Sequence, residues 1–361
     1  MLTNIGLFHQ FMPPINMNDL SQLLSAPFVY LNRLMKKNMK TLLTFLLCAI
    51  TISVSFSQTR ERGPWWPSPL WGPKDEAGAS NWITPEKIMK AMTYVKEGKV
   101  YELGHPYERN MPYVGTRSYK ISVVDTGPAA GKNMQLGNEE VISGELGQVG
   151  TQFDGPGHIG ALIKYGDGTT KGVYYNGFTQ EEVVHPDGLK HLGVHNVKPI
   201  LSRGILVDVA AYKGVQRLSN NYEVTVADVT GALAKQGIAE SSITPGDVII
   251  FRYGWASLWT SPQDYTRNAP GIGLEVAKWL VSKQITMTGA DSGATEVNPN
   301  PNPDLVVPVH QELMMKNGIF NLENMDLESL SADRTYEFLF IFTPLRLVGA
   351  SGSPGRPIAV R

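Results

Sequence analysis

The sequence of 361 residues has almost no cysteine and almost no net charge. Its single cysteine, Cys48, lies in an apolar segment near the N-terminus, so the rest of the chain can form no disulfide and offers no thiol nucleophile. Lysine and arginine together number 32, whereas aspartate and glutamate number 33. Without a basic excess or a run of like charge, we predict no nucleic-acid partner.

The chain also lacks a long apolar run in its first part, where the apolar segment 41–54 has only 14 residues. A settled transmembrane helix needs about 20 residues, so we expect no permanent membrane span, with a membrane anchor as the weaker alternative. Three lysines between 36 and 40 precede the segment, and the small residues Ser55 and Ser57 follow it. This order is typical of a signal peptide cleaved near Ser57/Gln58, which predicts an exported protein, either periplasmic or secreted.

These features divide the chain into three parts. We predict an upstream extension and signal peptide at 1–57, an arm rich in tryptophan and proline at 58–83, and one larger domain at 84–361. The indoles of the arm must be buried somewhere. They pack either as a strap over the protein's own core or as a lid or subunit contact.

Helix and strand signals alternate along the larger domain. Thr84 can cap a helix that begins at Pro85 and ends at Gly98. Beyond residue 200, buried strands alternate with amphipathic helices, which is the pattern of an α/β fold. The strands are predicted at 205–207, 248–251, 285–289 and 338–342, and the helices at 225–236, 273–283 and 309–316.

The densest group of potential ligands lies in the segment GQVGTQFDGPGH. If its first part is extended, side chains two residues apart share a face, so Gln148, Gln152 and Asp154 point the same way. Gly150 then leaves room between them for an ion or a substrate. The Gly-Pro-Gly turn lets His158 swing toward the same place. The alternative is that these are turn residues, which bond only to their own backbone.

This segment resembles the signature of the cyclase superfamily, which includes bacterial kynurenine formamidases and isatin hydrolases. The family motif reads His-x-Gly-Thr-His-x-Asp-x-Pro-x-His, and the residues that match it in register are Gly150, Thr151, Asp154, Pro156 and His158. The resemblance covers 70–361 and continues through further segments at 71–76, 289–292, 310–323 and 352–357. It makes the larger domain a cyclase-like hydrolase domain.

The resemblance implies a metal-dependent hydrolase of small amides, cyclic amides or lactones. The implied fold is α/β, with a central mixed sheet and layered helices of the swivelling β/β/α type. Carried over by position, the residues that would hold metal are Gln148, Gln152, Asp154, His158, His310 and Glu323. The first three take the places of the first metal's ligands, and the last two complete a second metal position. His158 is the general acid/base or a bridging ligand, and Glu323 is the second predicted catalytic residue.

One departure from the motif concerns the choice of metal. Gln148 and Gln152 stand where the family has histidines, and an amide oxygen is a harder and weaker donor than an imidazole nitrogen. We therefore expect a divalent ion, with Mn ahead of Zn. In one alternative, the ion lies among Gln148, Gln152 and Asp154. In the other, its ligands are Asp154, His158, His310 and Glu323, and the two glutamines are free to bind substrate.

The predicted reaction is hydrolysis of a C–N or C–O bond, closest to that of an arylformamidase. Water activated by the divalent metal attacks the substrate carbonyl, and His158 returns the proton to the leaving group. The predicted contacts of the small-molecule substrate are Gln148, Trp71 and Tyr175. The alternative is a metal-free protein that binds a small polar ligand through Gln148 and Gln152. The resemblance also implies a homo-oligomer, either a dimer or a tetramer.

Overall fold

A nine-stranded sheet is the largest element of the computed structural model, which describes residues 62–361. In chain order the strands are β1 (Val100–Glu102), β2 (Tyr119–Asp125), β3 (Asn138–Gly144), β4 (Gln152–Asp154), β5 (Ala161–Lys164), β6 (Thr170–Val173), β7 (Ile200–Asp208), β8 (Glu223–Val224), β9 (Val248–Arg252), β10 (Gly271–Ile272), β11 (Met287–Ala290), β12 (Phe320–Glu323), β13 (Glu337–Phe342), β14 (Gly352–Pro354) and β15 (Ile358–Val360). The order across the sheet is β1-β15-β13-β7-β9-β11-β12-β4-β14.

The sheet is mixed. Its four middle strands β7, β9, β11 and β12 run parallel, and the strands on either side of them pair antiparallel. Three small two-stranded sheets, β2–β3, β5–β6 and β8–β10, complete the strand structure of the described residues. The predicted α/β class with a central mixed sheet is therefore confirmed.

Helices cover this sheet and connect its strands. The α-helices are α1 (Pro85–Met92), α2 (Gln180–Val183), α3 (Val209–Lys213), α4 (Val226–Lys235), α5 (Pro262–Tyr265), α6 (Leu274–Ser282), α7 (Pro308–His310) and α8 (Glu328–Ala332), and a π-helical turn, Gln311–Met315, follows α7. Thr225 caps α4 and Thr84 caps α1, as predicted. However, α1 ends at Met92, well before Gly98. The backbone N–H groups of Thr93, Tyr94 and Val95 bind carbonyls three residues back, and those of Glu97 and Lys99 bind the carbonyl of Arg361.

The middle strands are buried on both faces. On β7, Ile205 and Val207 belong to one apolar cluster, and Leu206 between them belongs to another. Successive side chains on a strand point to opposite faces, so the two clusters lie on the two sides of the sheet. The first cluster contains side chains of α4 and α6, and the second contains the phenylalanines of β13. This double burial holds the middle of the sheet in place.

The β2–β3 hairpin extends away from this core. Nearly every residue of its two strands is exposed, and the exception at the base is Tyr119. The hairpin is entered just after Arg117 and left just before Gln148, so the two segments that flank it lie together.

The predicted signal peptide and upstream extension lie outside the described residues, as does the first part of the predicted arm. The described part of the arm has no strand and one short 3-10 helix, Gly78–Trp82. Within 62–361, no helix is both long and apolar enough to cross a membrane.

Candidate metal centre

Three buried side chains meet where β4 and β12 pair. Asp154 comes from β4, Glu323 from β12 and His310 from the end of α7. Their ligand atoms all lie within 4.8 Å of one another. Nε2 of His310 is 3.2 Å from Oε1 of Glu323 and 3.7 Å from Oδ2 of Asp154. The three side chains can therefore hold one metal ion.

The register of the two strands explains why the acidic groups converge. In the antiparallel β4–β12 pair, Asp154 lies opposite Asn321, and Gln152 lies opposite Glu323. Residues two apart on a strand share a face, and directly opposite residues share it too. These four polar side chains therefore form one patch on one face of the sheet.

Glu296 orients the histidine of the cluster. Its carboxylate accepts the backbone N–H groups of Val309 and His310, at 3.1 and 3.0 Å, in the first turn of α7. Its Oε1 also lies 2.5 Å from Nδ1 of the His310 ring. With Nδ1 engaged, the other ring nitrogen, Nε2, faces the carboxylates of Asp154 and Glu323. Metal-binding histidines are commonly oriented through their other nitrogen in this way.

The cluster carries an excess of negative charge. The carboxylates of Asp154, Glu296 and Glu323 surround one imidazole, and in residues 62–361 no lysine or arginine forms an ion pair with any of them. Burial alone lowers the pKa of His310, but the hydrogen bonds that its ring donates to the three carboxylates raise it well above its usual range. Burial raises the pKa of Asp154, yet His158 and His310 together hold it below its usual value. A divalent cation would offset the remaining buried negative charge.

Three amide side chains complete the site. Nε2 of Gln148 donates to Asp154 at 3.2 Å, and Nε2 of Gln152 donates to Glu323 at 3.1 Å. Asn321 lies between the two carboxylates and donates to both, at 2.9 Å to Glu323 and 3.3 Å to Asp154. The amide oxygens of Gln148 and Asn321 are buried without a hydrogen-bond partner. Such orphaned acceptors are costly unless a cation or a donor reaches them, so the donor set fits a hard divalent ion.

A small pocket reaches this cluster at Glu323. Its wall includes Arg117, Gln148, Gln152, Tyr265, Glu323 and Asn324. The hydroxyl of Tyr265 donates to Asn324, and Asn324 in turn donates to the carbonyl of Gly150. These hydrogen bonds connect three residues of the pocket wall to one another.

The Cyclase family model matches residues 101–297 of this chain. A crystal structure described as a novel cyclase is 32% identical, with a TM-score of 0.70, and the match covers 81% of this chain and 96% of that one. The chain belongs to the cyclase family. This confirms the family resemblance that the motif indicated.

Isatin hydrolases share the fold at lower identity. Isatin hydrolase A from Ralstonia solanacearum is 19% identical, with a TM-score of 0.53, over 73% of this chain and 92% of that one. Isatin hydrolase A from Labrenzia aggregata, bound to benzyl benzoate, is 18% identical, with a TM-score of 0.53, over 72% of this chain and 93% of that one. A search of curated proteins gave no significant match. The cyclase-like fold is thus confirmed.

Three of the six predicted metal ligands lie close enough together to bind one ion. Asp154, His310 and Glu323 form the triad. The ring of His158 is partly exposed, and its Nε2 lies 3.8 Å from Oδ1 of Asp154, at the edge of the cluster. The two glutamines point amide N–H groups at the carboxylates. Of the two predicted positions for the ion, the geometry favours the one formed by Asp154, His158, His310 and Glu323. All of these except His158 belong to the triad.

The local backbone differs from the expected extended segment. Gln148 ends a 3-10 turn, Leu146–Gln148, and only the last part of the segment, β4, is a strand. Gly150 does not provide room for an ion, because it adopts a left-handed φ of 62° and a Cβ there would lie 2.8 Å from the ring of Tyr107. Gln148 therefore reaches Asp154 around a turn instead of along a strand.

Two predicted substrate contacts lie in the packing of the arm. The hydroxyl of Tyr175 donates to Asp75 at 2.8 Å, and its ring is buried in a small apolar cluster. Trp71 packs edge-on against Trp82, with ring centroids 4.9 Å apart. Neither Trp71 nor Tyr175 is among the residues that line the pocket. The hydrogen bond between Tyr175 and Asp75 thus attaches the arm to the rest of the protein, as in the predicted strap.

Glu296 and Asn321 are functional residues that the sequence analysis missed. Asn321 had a usable signal, because it stands two residues before Glu323 in a strand-like segment and so shares its face. Glu296 had no comparable signal, since its link to His310 depends on how a loop folds back on α7.

Proposed function

We propose that this cyclase-family protein is a metal-dependent hydrolase that cleaves a C–N or C–O bond in a small amide, cyclic amide or lactone. The observation that carries the proposal is the buried triad of Asp154, His310 and Glu323, with its excess negative charge and the orphaned amide oxygens beside it. The isatin hydrolases with the same fold act on a small carbonyl compound, which supports this choice of reaction class. Arylformamidase-like cleavage is the closest named activity.

When bound, the ion would act as a Lewis acid toward the substrate carbonyl and toward water. Glu296 keeps Nδ1 of His310 occupied, so that Nε2 stays directed into the centre. Gln152 and Asn321 hold the two oxygens of Glu323, which suits a ligand better than a mobile base. We propose that His158, which is partly exposed at the edge of the cluster, gives a proton to the leaving nitrogen or oxygen.

The hard donor set supports Mn over Zn as the ion. The triad has two carboxylates and a single imidazole nitrogen, and the amide oxygens of Gln148 and Asn321 are buried beside it without a partner. Oxygen ligands suit Mn and Mg better than Zn. We also propose that the protein works outside the cytoplasm as a homo-oligomer. The support for export is the segment that resembles a signal peptide, and the support for assembly is the family resemblance.

The proposal is tested on protein purified without added metal. Elemental analysis is combined with hydrolysis of N-formylkynurenine, isatin and a lactone panel. We expect Asp154→Asn and His310→Ala to lose both metal and activity, and His158→Ala to keep metal while activity falls about 100-fold or more. Asp167→Asn, in an exposed turn, is the matched control. Full activity in metal-stripped Asp154→Asn would overturn the proposal.

A second function is favoured by one specific observation. Gln148, Gln152 and Asn321 already supply hydrogen bonds to both carboxylates, so the cluster can exist without an ion. The protein would then bind a small polar ligand without turnover. A metal-free protein whose Tm rises with a ligand that it does not consume would support this function, whereas metal-restored hydrolysis would reject it.

A further inference from the structure

Among the described residues 62–361, Arg117 is the only lysine or arginine that lines the pocket at the metal centre. It lies just before the β2–β3 hairpin and is partly buried. One of its guanidinium nitrogens, Nη1, donates to the main-chain carbonyl of Gln148 at 3.1 Å. This bond fixes the guanidinium on the pocket wall and leaves its other N–H groups for a further acceptor.

The guanidinium of Arg117 lacks the partner that the buried arginines have. Arg203 pairs with Asp247 and Glu337, and Arg252 pairs with Asp208 and Glu328. In the part of the chain that the structure describes, no carboxylate lies within ion-pair distance of Arg117.

The nearby carboxylate of Glu145 is used elsewhere. It accepts the backbone N–H of Ser118 at 2.7 Å, and the positive charge of Arg117 contributes only a minor part to the lowering of its pKa. Arg117 therefore offers a cationic fork that faces the pocket without being neutralised.

Gln148 connects this cation to the acidic cluster. Its carbonyl binds Arg117, and its side chain donates to Asp154. The pocket lining therefore includes both a cation, Arg117, and a carboxylate of the metal centre, Glu323. This combination suits a small molecule that has both a reacting carbonyl and an anionic group.

We propose that Arg117 selects the substrate by binding a carboxylate, so that the substrates are small aryl amides or lactones that carry a carboxylate group. This inference rests on the proposed hydrolase function and narrows its substrate class. A planar guanidinium can bind a carboxylate through two parallel N–H groups, which an ammonium cannot do. Arg117 is a specificity-determining residue and takes no part in the bond cleavage.

The test compares two substrates that share the same reactive amide. Formanilide is neutral, and 4-carboxyformanilide differs from it by one carboxylate. We measure kcat and KM with the full chain loaded with Mn, for the natural protein and for Arg117→Gln, Arg117→Lys and Arg346→Gln. The last is an exposed arginine outside the described pockets and serves as the matched control.

The natural protein should prefer the carboxylated substrate by about 10- to 100-fold in kcat/KM, mostly through KM, since a charge-assisted hydrogen bond is of this size. In Arg117→Gln the ratio between the two substrates should fall to about one, and Arg117→Lys should keep part of it. Arg346→Gln should keep the full ratio. A ratio that Arg117→Gln leaves unchanged overturns the inference.

A binding measurement separates this inference from the proposed function. Calorimetric titration with benzoate and benzamide follows carboxylate recognition without any turnover, and elemental analysis checks that each variant still holds metal. Benzoate binding that weakens tenfold or more in Arg117→Gln alone supports the carboxylate site even if no substrate is hydrolysed. Benzoate binding that is equal in the natural protein and Arg117→Gln overturns it, even if hydrolysis proceeds.

Discussion

Nδ1 of His310 lies 2.5 Å from Oε1 of Glu296, a residue of the loop that precedes α7. The same carboxylate accepts two backbone N–H groups of α7. One side chain thus fixes both the start of the helix and the direction of the ring that it presents to Asp154 and Glu323. The strength of metal binding should therefore depend on Glu296, which lies outside the triad itself.

Replacing Glu296 with glutamine should weaken metal binding by about 10- to 100-fold, because the amide holds the imidazole less firmly and makes it a poorer donor. Calorimetric titration of the stripped protein with Mn measures this change. Glu312→Gln is the matched control, since Glu312 pairs with Lys316 outside the cluster. Equal affinities in the natural protein and Glu296→Gln would contradict the role given to this carboxylate.

Restoring the family histidines should change the preferred metal. We expect the double variant Gln148→His, Gln152→His to raise the affinity for Zn relative to Mn by at least about tenfold, because imidazole nitrogen is a softer donor than amide oxygen. Competition between the two ions for the stripped protein reports the ratio. Gln135→His, exposed in the turn of the β2–β3 hairpin, should leave the ratio as it is. A double variant with the natural ratio would show that the glutamines lie too far from the ion to matter.

Gly150→Ala should lower the free energy of unfolding by about 1–3 kcal/mol, since an alanine there must take a left-handed backbone and meet the ring of Tyr107. Urea unfolding followed by tryptophan fluorescence measures the loss. Gly166→Ala is the control, because its backbone is not left-handed and no atom lies within 4 Å of the added Cβ. The prediction fails if the two alanine variants are equally stable.

Asp291 gives the protein a pH dependence of stability that has a definite sign. Burial raises the pKa of this carboxyl to about 7, although the backbone N–H groups of Tyr253 and Trp255 donate to it. The folded state therefore favours the protonated form. The stability that protonated Asp291 contributes is fully present below its pKa in the unfolded chain, which is about 4. This contribution is lost as the pH rises toward 7, the pKa in the folded protein.

Comparison with Asp291→Asn isolates this contribution, because asparagine does not titrate. The difference in unfolding free energy between the natural protein and the variant should fall between pH 4 and pH 7, on the order of 4 kcal/mol in total, and stay level above that. Urea unfolding at a series of pH values gives the curve. A difference that grows with pH would mean that the two N–H donors outweigh burial.

Much of the fold followed from local patterns in the sequence. Runs of β-branched residues predicted the buried middle strands, such as β9, and threonine caps predicted the starts of α1 and α4. The family resemblance predicted Asp154, His310 and Glu323 as metal ligands, at either one or two metal positions, and the structure places their ligand atoms together. The strands and helix caps depend on contacts between residues that are close in sequence. The ligands were inferred from sequence segments that occur in the same order as in the family.

The rest depended on contacts between distant parts of the chain. The left-handed turn at Gly150 is shaped around Tyr107, and the segment after α1 is bound to Arg361 at the other end of the described chain. Glu296 reaches His310 only through the folding of a loop. No local pattern of residues records such contacts, so neither the turned position of Gln148 nor the role of Glu296 could be predicted.

The exposed β2–β3 hairpin has a consequence for how this protein can diversify. The acidic groups of the cluster stand on β4 and β12, inside the sheet, whereas Arg117 and Gln148 belong to the segments at the base of the hairpin. Loops and hairpins at a surface tolerate insertions and exchanges that internal strands do not. Changes in the β2–β3 hairpin could therefore alter which substrates bind. The residues of the acidic cluster on β4 and β12 would stay the same.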